Sequence, residues 1–213
     1  MSNNISKKDL YDALAMRHGV ENQEKFSKAT VNIFGLGGLG SNVAVALTRC
    51  GVGHLRLIDY DKLDLTNLNR QQYFIDQVGM YKTEALRENL LKINPYVNIE
   101  IISSKVTEDN ISELLKLDGI ICEAFDKPEA KSLIIDAFFS QDNYKDRVIV
   151  AASGMAGFGR SNLIVTKKMN DNFYLCGDNE SDVEKENRLV SSRVAICANH
   201  EANAIIDIIL QDR

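Results

Sequence analysis

Two stretches of this sequence carry residue types that do chemistry. Gly35-Leu-Gly-Gly-Leu-Gly40 is a glycine loop of spacing GxGxxG, and Asp59 stands nineteen residues after Gly40. Such glycines permit a tight turn, close approach of backbone amides to a phosphate, and close packing of a helix on a strand. An acid at that distance suits ribose hydroxyls. Gly35, Gly37, Gly38 and Gly40 are therefore candidates for nucleotide binding, with Asp59. A plain strand-to-helix turn is the bland alternative, and the loop alone does not separate NAD from ATP.

The second stretch, DYDKLDLTNLNRQQ, runs from Asp59 to Gln72. Taken singly, Asp61 and Asp64 read as solvated loop acids. Asn67, Arg70 and Gln71 read together as a polar set beside the glycine loop. Arg70 offers a planar donor fork for phosphate oxygens, and Asn67 and Gln71 can donate to phosphate or to a peptide backbone. Lys82, near the start of the next helical stretch, is either a second phosphate cation or a surface lysine. Asp126, in CEAFDKPEAK, is either a helix-start acid or a carboxylate for Mg²⁺, which needs only one or two carboxylates plus phosphates and water.

The elements that must position these residues follow from hydrophobic pattern and punctuation. Ser6 and Asp9 mark a helix start that runs to about Met16 and stops near Gly19, and a second helix covers Asn22 to Ala29. Val31 to Phe34 is a buried strand, Ser41 to Cys50 a helix, and His54 to Ile58 the next strand, which makes a βαβ unit. Met80 to Ile93 is a helix stopped by Asn94-Pro95. Val97 to Ile102 is a strand, Glu108 to Leu117 a helix, and Asp118 to Cys122 a strand. Pro128 opens a helix through Phe139, and Arg147 to Ala152 is a strand. The alternation predicts an α/β fold with a mostly parallel sheet and helices on both faces. After Ser153 the helices drop out. Asn162 to Thr166 and Phe173 to Cys176 read as antiparallel strands added to the sheet. Cys176 to Arg193 reads as a long polar loop, and about Val194 to Leu210 as a last helix whose wide apolar face needs burial against the core or a second subunit.

GLGGLGSNVA, LIDYDKLDLTNLNRQ, DQVGMYK and the Asp of EAFDKPEAK together resemble the ThiF/MoeB/HesA family, the bacterial relatives of ubiquitin-activating enzymes. The tail CGDNES…RVAICANHEANAIIDIIL is similar to the short ThiF-type members. The D-x-D-x(5)-N-x-x-R-Q arrangement is far more specific than GxGxxG. The resemblance implies a Rossmann-like adenylation domain over residues 1–213: a helical arm to residue 30, a nucleotide-binding core over 31–152, and antiparallel strands, loop and helix beyond. It implies Mg-ATP as cofactor and no zinc. The partner would be a ubiquitin-fold sulfur carrier protein (ThiS-like) whose C-terminal Gly-Gly carboxylate is adenylated in making the thiazole of thiamine. It implies that Gly37 and Gly40 approach the ATP phosphates, Asp59 takes the ribose, and Asp61 joins the nucleotide-binding set. Asn67, Arg70 and Gln71 would contact phosphates and the incoming tail, Lys82 the phosphates, and Asp126 the Mg²⁺. Arg17 would match an arginine lent across a homodimer. Cys176 would match a cysteine that bonds the activated carrier in some relatives, with an inert edge-strand cysteine as its alternative.

Bulk composition is consistent with this. The chain has 213 residues, 45% of them hydrophobic, and a net charge of −5. That acidity argues against nucleic acid as the main partner. No window approaches the ~18 apolar residues of a membrane span, and the N-terminus has no hydrophobic signal region, so a cytoplasmic protein is expected. The four cysteines form no C-x-x-C pair, which disfavours a zinc ribbon. Cys50, Cys122 and Cys197 read as small core residues, and His18, His54 and His200 as structural or surface residues. Three competing readings stay open: an NAD-dependent oxidoreductase, a relative acting on a molybdopterin-type carrier or a tRNA, and a non-catalytic carrier-binding scaffold. The oxidoreductase gives no reason for Asn67, Arg70, Gln71, Lys82 and Asp126 together.

Overall fold

The computed structural model describes residues 5–181 and 188–211. Two N-terminal helices, α1 (Lys7–His18) and α2 (Val20–Lys28), precede the sheet. The Ser6 hydroxyl and the Asp9 carboxylate cap α1 reciprocally, which satisfies amides that the first turn leaves without partners. Then follow β1 (Thr30–Phe34), α3 (Gly38–Cys50), β2 (His54–Ile58), α4 (Lys82–Ile93), β3 (Asn98–Ile102), α5 (Glu108–Leu115), β4 (Ile120–Glu123), α6 (Pro128–Phe139) and β5 (Ile149–Ala152). The C-terminal part holds β6 (Val165–Asn170), β7 (Phe173–Gly177) and the twenty-residue α7 (Ser191–Leu210).

Among the described residues, seven strands form one sheet in the order β3-β2-β1-β4-β5-β7-β6. All neighbours are parallel except β6 with β7. Register places Ile33 beside Cys122 and Cys122 beside Val150. Those residues face α3, α4 and α7, whereas Phe34, Ile121 and Ile149 face α5 and α6. The alternation of side chains along each strand thus feeds two cores, one per face.

The expected α/β class and its parallel sheet are present, and two details differ at the C-terminal side. Ser161–Leu163 forms a 3₁₀ turn, so the strand expected from Asn162 begins at Val165. β7 adds parallel to β5, so among the described residues only β6 runs antiparallel in the sheet. Local pattern sees a hairpin but not which of its strands joins the sheet. The last helix lays its apolar face on α3, β5 and β7 of its own chain, burying Val194, Cys197, Ala198, Ala202, Ile205 and Ile208. Part of the expected polar loop, residues 182–187, lies outside the described residues.

Candidate nucleotide site

The strand order reverses at β1, with β2 on one side and β4 on the other. Open α/β sheets bind ligands in the crevice outside the strand ends at such a point. A cavity of about 640 Å³ lies there, lined by the glycine loop, the segment after β2, Lys82, and the loop after β4. Its size is typical of a small-molecule site.

The structure brings most of the expected residues to this cavity. Gly35, Gly37, Gly38, Asp59, Asp61, Asn67, Arg70, Gln71, Lys82 and Asp126 all line it. Gly35 has φ +91°, and a Cβ there would lie 2.8 Å from the Ala124 carbonyl oxygen, so only glycine lets the loops after β1 and β4 meet. Asp59 is buried. Its Oδ2 accepts the Leu36 amide at 2.7 Å and its Oδ1 the Asp61 amide at 2.8 Å. Burial raises its pKa against the opposing pull of Lys82 and those two amides.

Lys82 opens α4 and reaches Asp61, with Nζ 2.7 Å from Oδ2. The Asp64 amide donates to Asn67 Oδ1 while the Asp64 carboxylate accepts from Thr66, and together they fold Leu65–Asn69 into a 3₁₀ turn. That turn delivers Arg70, whose Nη1 bonds Asn69 Oδ1 at 2.7 Å. Burial lowers the guanidinium pKa, and Asp126 across the cavity opposes the shift. Gln71 is buried with its Oε1 lacking a hydrogen-bond partner. A buried orphan acceptor at a cavity wall marks a place where a ligand donor fits. Asp126 is exposed. No group of three or more metal-ligating side chains occurs among the described residues, so Mg²⁺ here would rest on Asp126 and phosphate oxygens, a donor set that suits this ion.

Three expected site residues lie elsewhere. Gly40 is buried in α3 and does not line the cavity. A Cβ on it would lie 1.9 Å from the Gly35 carbonyl oxygen, so it serves the packing of helix on loop, not phosphate approach. Arg17 is exposed on α1, away from its own chain's cavity. Cys176 is fully buried at the end of β7, beside the Thr166 hydroxyl at 3.6 Å. Burial, reinforced by Glu201, pushes its thiol up to about 12. That is a core thiol and not the nucleophile expected, because a reactive cysteine needs exposure and a lowered pKa. Of the histidines, His18 bonds Gln23 and His200 bonds Thr166, and none lines the cavity.

Other residues at the site went unread in the sequence. Leu189 and Val194 bring the start of α7 to the cavity wall, and a Cβ on Gly38 would lie 2.8 Å from Val194 Cγ1. No local pattern signals that contact. Ser41, Asn42 and Tyr73 tie the glycine loop to the segment after Arg70. Tyr73 directly continues the polar run, and that adjacency was the available signal.

A family profile described as the ThiF family matches residues 11–213. Ubiquitin-like modifier-activating enzyme 5 of Caenorhabditis elegans is 46% identical over 92 residues, 43% of this chain and 22% of that protein. Its counterpart in Drosophila pseudoobscura pseudoobscura is 37% identical over 145 residues, 66% of this chain and 34% of that protein. The chain thus spans between about a fifth and a third of these curated relatives. Among solved structures, E. coli tRNA N6-threonylcarbamoyladenosine dehydratase in complex with AMP superposes with a TM-score of 0.84 at 22% identity, covering 98% of both chains. E. coli MccB superposes with a TM-score of 0.69 at 22% identity, covering 97% of this chain and 72% of that one. These two likenesses are of fold. The glycine loop, the N-x-x-R-Q run, Lys82 and Asp126 meet in one crevice, the profile spans nearly the whole sequence, and the chain belongs to the ThiF family.

Proposed function

We propose that this protein adenylates the C-terminal Gly-Gly carboxylate of a small ubiquitin-fold carrier protein with Mg-ATP, releasing pyrophosphate. The observation that carries this reading is the convergence of Gly37, Gly38, Arg70, Gln71, Lys82 and Asp126 on one cavity. The carboxylate is ionised at neutral pH, its ordinary pKa being about 3.5, so no general base is required. One of its oxygens bonds to the α-phosphorus while the bond from that phosphorus to the pyrophosphate oxygen breaks. Two anions must approach, so the chemistry needs positioning and charge stabilisation. Arg70 and Lys82 supply fixed positive charge. Asp126 would hold Mg²⁺, which neutralises phosphate charge when bound. The orphan Gln71 Oε1 suits a peptide N–H of the incoming tail.

A ThiS-like sulfur carrier serving thiamine synthesis is the finer form of this proposal. The relatives named ubiquitin-like modifier-activating enzyme 5 support a ubiquitin-like partner more broadly. A homodimer in which Arg17 lends its charge to the partner's nucleotide belongs to the same proposal. Restored activity on mixing Arg17→Ala with Arg70→Ala subunits is its test.

The deciding experiment is ATP–pyrophosphate exchange with and without a Gly-Gly-tailed carrier, with mass spectrometry of the carrier C-terminus. A carrier adenylate is expected. Arg70→Ala and Asp126→Ala should each cut exchange at least ~100-fold, the loss of a few kcal/mol of transition-state stabilisation. An adenylated tRNA instead of a carrier would move the substrate to nucleic acid. Binding of NADH in place of Mg-ATP by calorimetry would overturn adenylation.

A further inference from the structure

Three consecutive carbonyls of the glycine loop are each held by a different side chain. Tyr73 Oη donates to the Leu36 oxygen at 2.8 Å, Ser41 Oγ to the Gly37 oxygen at 2.6 Å, and Asn42 Nδ2 to the Gly38 oxygen at 2.6 Å. Ser41 and Asn42 also grip the segment after Arg70. Ser41 Oγ accepts the Gln72 amide at 3.1 Å, Asn42 Nδ2 donates to the Arg70 carbonyl at 3.1 Å, and Asn42 Oδ1 accepts from Gln72 Nε2 at 2.7 Å. Leu36 is held at both ends, because its amide donates to Asp59 while its carbonyl accepts from Tyr73. Asp59 and Tyr73 are both buried, so water does not compete for either bond.

Gly38 and Gly40 already lie in α3 and the Gly37 carbonyl also accepts the Ser41 amide, but the Gly35–Gly37 turn ahead of the helix has many accessible peptide orientations. For an anion only one polarity is useful, with amides toward the phosphates and carbonyls turned away. A flipped peptide would set a carbonyl dipole against a phosphate oxygen. We infer that Arg70–Tyr73 forms a strap that sets the polarity of the glycine loop, with Tyr73 as a positioning residue for polyphosphate binding. The strap also joins two phosphate-binding parts, since the residue that bonds the Gly38 carbonyl bonds the Arg70 carbonyl too. Loop and arginine are placed together before substrate arrives, and the preorganisation costs nothing at the moment of binding.

The inference rests on the nucleotide reading of the cavity, and the test separates the two. ATP and adenosine affinities are measured by calorimetry on the wild-type chain, Tyr73→Phe and Gln72→Ala, with melting temperatures alongside. Tyr73→Phe keeps the ring and removes one hydroxyl. Gln72→Ala removes only an exposed side chain and covers the case where the tyrosine variant fails to fold. In Tyr73→Phe, ATP binding should weaken about tenfold, the typical effect of one lost hydrogen bond, and adenosine binding should stay unchanged. Gln72→Ala should move ATP in the same direction by less. Equal weakening of ATP and adenosine, or unchanged ATP binding in both variants, overturns the strap. A wild-type chain that binds ATP no more tightly than adenosine overturns the nucleotide reading beneath it.

Discussion

Lys82 and Asp61 form an ion pair at the cavity wall, with the ammonium 2.7 Å from the carboxylate and the lysine side chain only 9% exposed. The pair joins the first turn of α4 to the residue three places after β2. Asp61, its own side chain 45% exposed, holds and aims the Lys82 ammonium at the cavity wall. Lys82→Ala should lower ATP–pyrophosphate exchange at least ~100-fold, and Asp61→Asn by roughly tenfold. Exchange rates near wild type in both variants would remove the pair from the chemistry.

Cys176 is expected to be silent. With its thiol buried and pushed up to about 12, native protein at pH 8 should resist iodoacetamide at this position and react only once unfolded. Cys176→Ser should retain carrier adenylation. Peptide mapping after short labelling checks the first expectation and exchange kinetics the second. Rapid labelling of Cys176 in the folded protein would reinstate a covalent role.

Glu201 lies on α7 with both carboxylate oxygens buried and without hydrogen-bond partners. Burial raises its pKa well above the ordinary 4.5, against the opposing charge of Lys131 and reinforced by Glu123. The folded chain thus keeps a proton that the unfolded chain gives up above about pH 4.5. Stability is lost as pH rises from there toward the folded value. Glu201→Gln should remove this slope, gaining about 1–3 kcal/mol at pH 8 and nothing below pH 4. Denaturant titrations across pH decide it, and parallel curves for the two proteins would refute the assignment.

Arg193 is the largest fully buried side chain. It is paired with Asp178 and donates to the carbonyls of Ala156, Gly159 and Arg160. It binds the loop after β5 to the start of α7, and both segments reach the cavity through Met155 and Val194. Breaking one side of a buried pair costs about 3–5 kcal/mol, so Arg193→Met should lower the melting temperature by many degrees. Burial pushes the Asp178 pKa up. The amides of Ser181 and Glu180, the Ser181 hydroxyl and Arg193 together bring it below the ordinary 3.8. Its contribution is therefore present above pH 3.8 and lost as pH falls through the lower folded value. A thermal melt of Arg193→Met matching wild type would show that the pair contributes nothing net.

Much of the architecture was legible in the sequence where the signal was local. His54–Ile58 and Pro128–Phe139 fall where alternation and a first-turn proline place them. The Ser6–Asp9 cap is present as read. Spacing alone cannot tell a glycine needed by a ligand from one needed by a neighbouring carbonyl, and in the structure Gly40 meets the Gly35 carbonyl. The Asn162 strand start was missed because its apolar residues suit a turn as well as a strand, and the choice depended on pairing with β7.

By itself the sequence determined the α/β class, the glycine loop with its acid, and the polar run that set this site apart from a plain dinucleotide pocket. Those features sit within short stretches, where spacing along the chain translates directly into which residues share a turn or strand end. Only the tertiary structure decided that Lys82 is paired with Asp61, that Val194 packs over Gly38, that Tyr73 holds the Leu36 carbonyl, and that Cys176 is sealed in the core. Each of these contacts joins segments far apart in the chain. Their geometry comes from packing α4 and α7 onto a shared sheet, for which no periodicity in the sequence provides a signal.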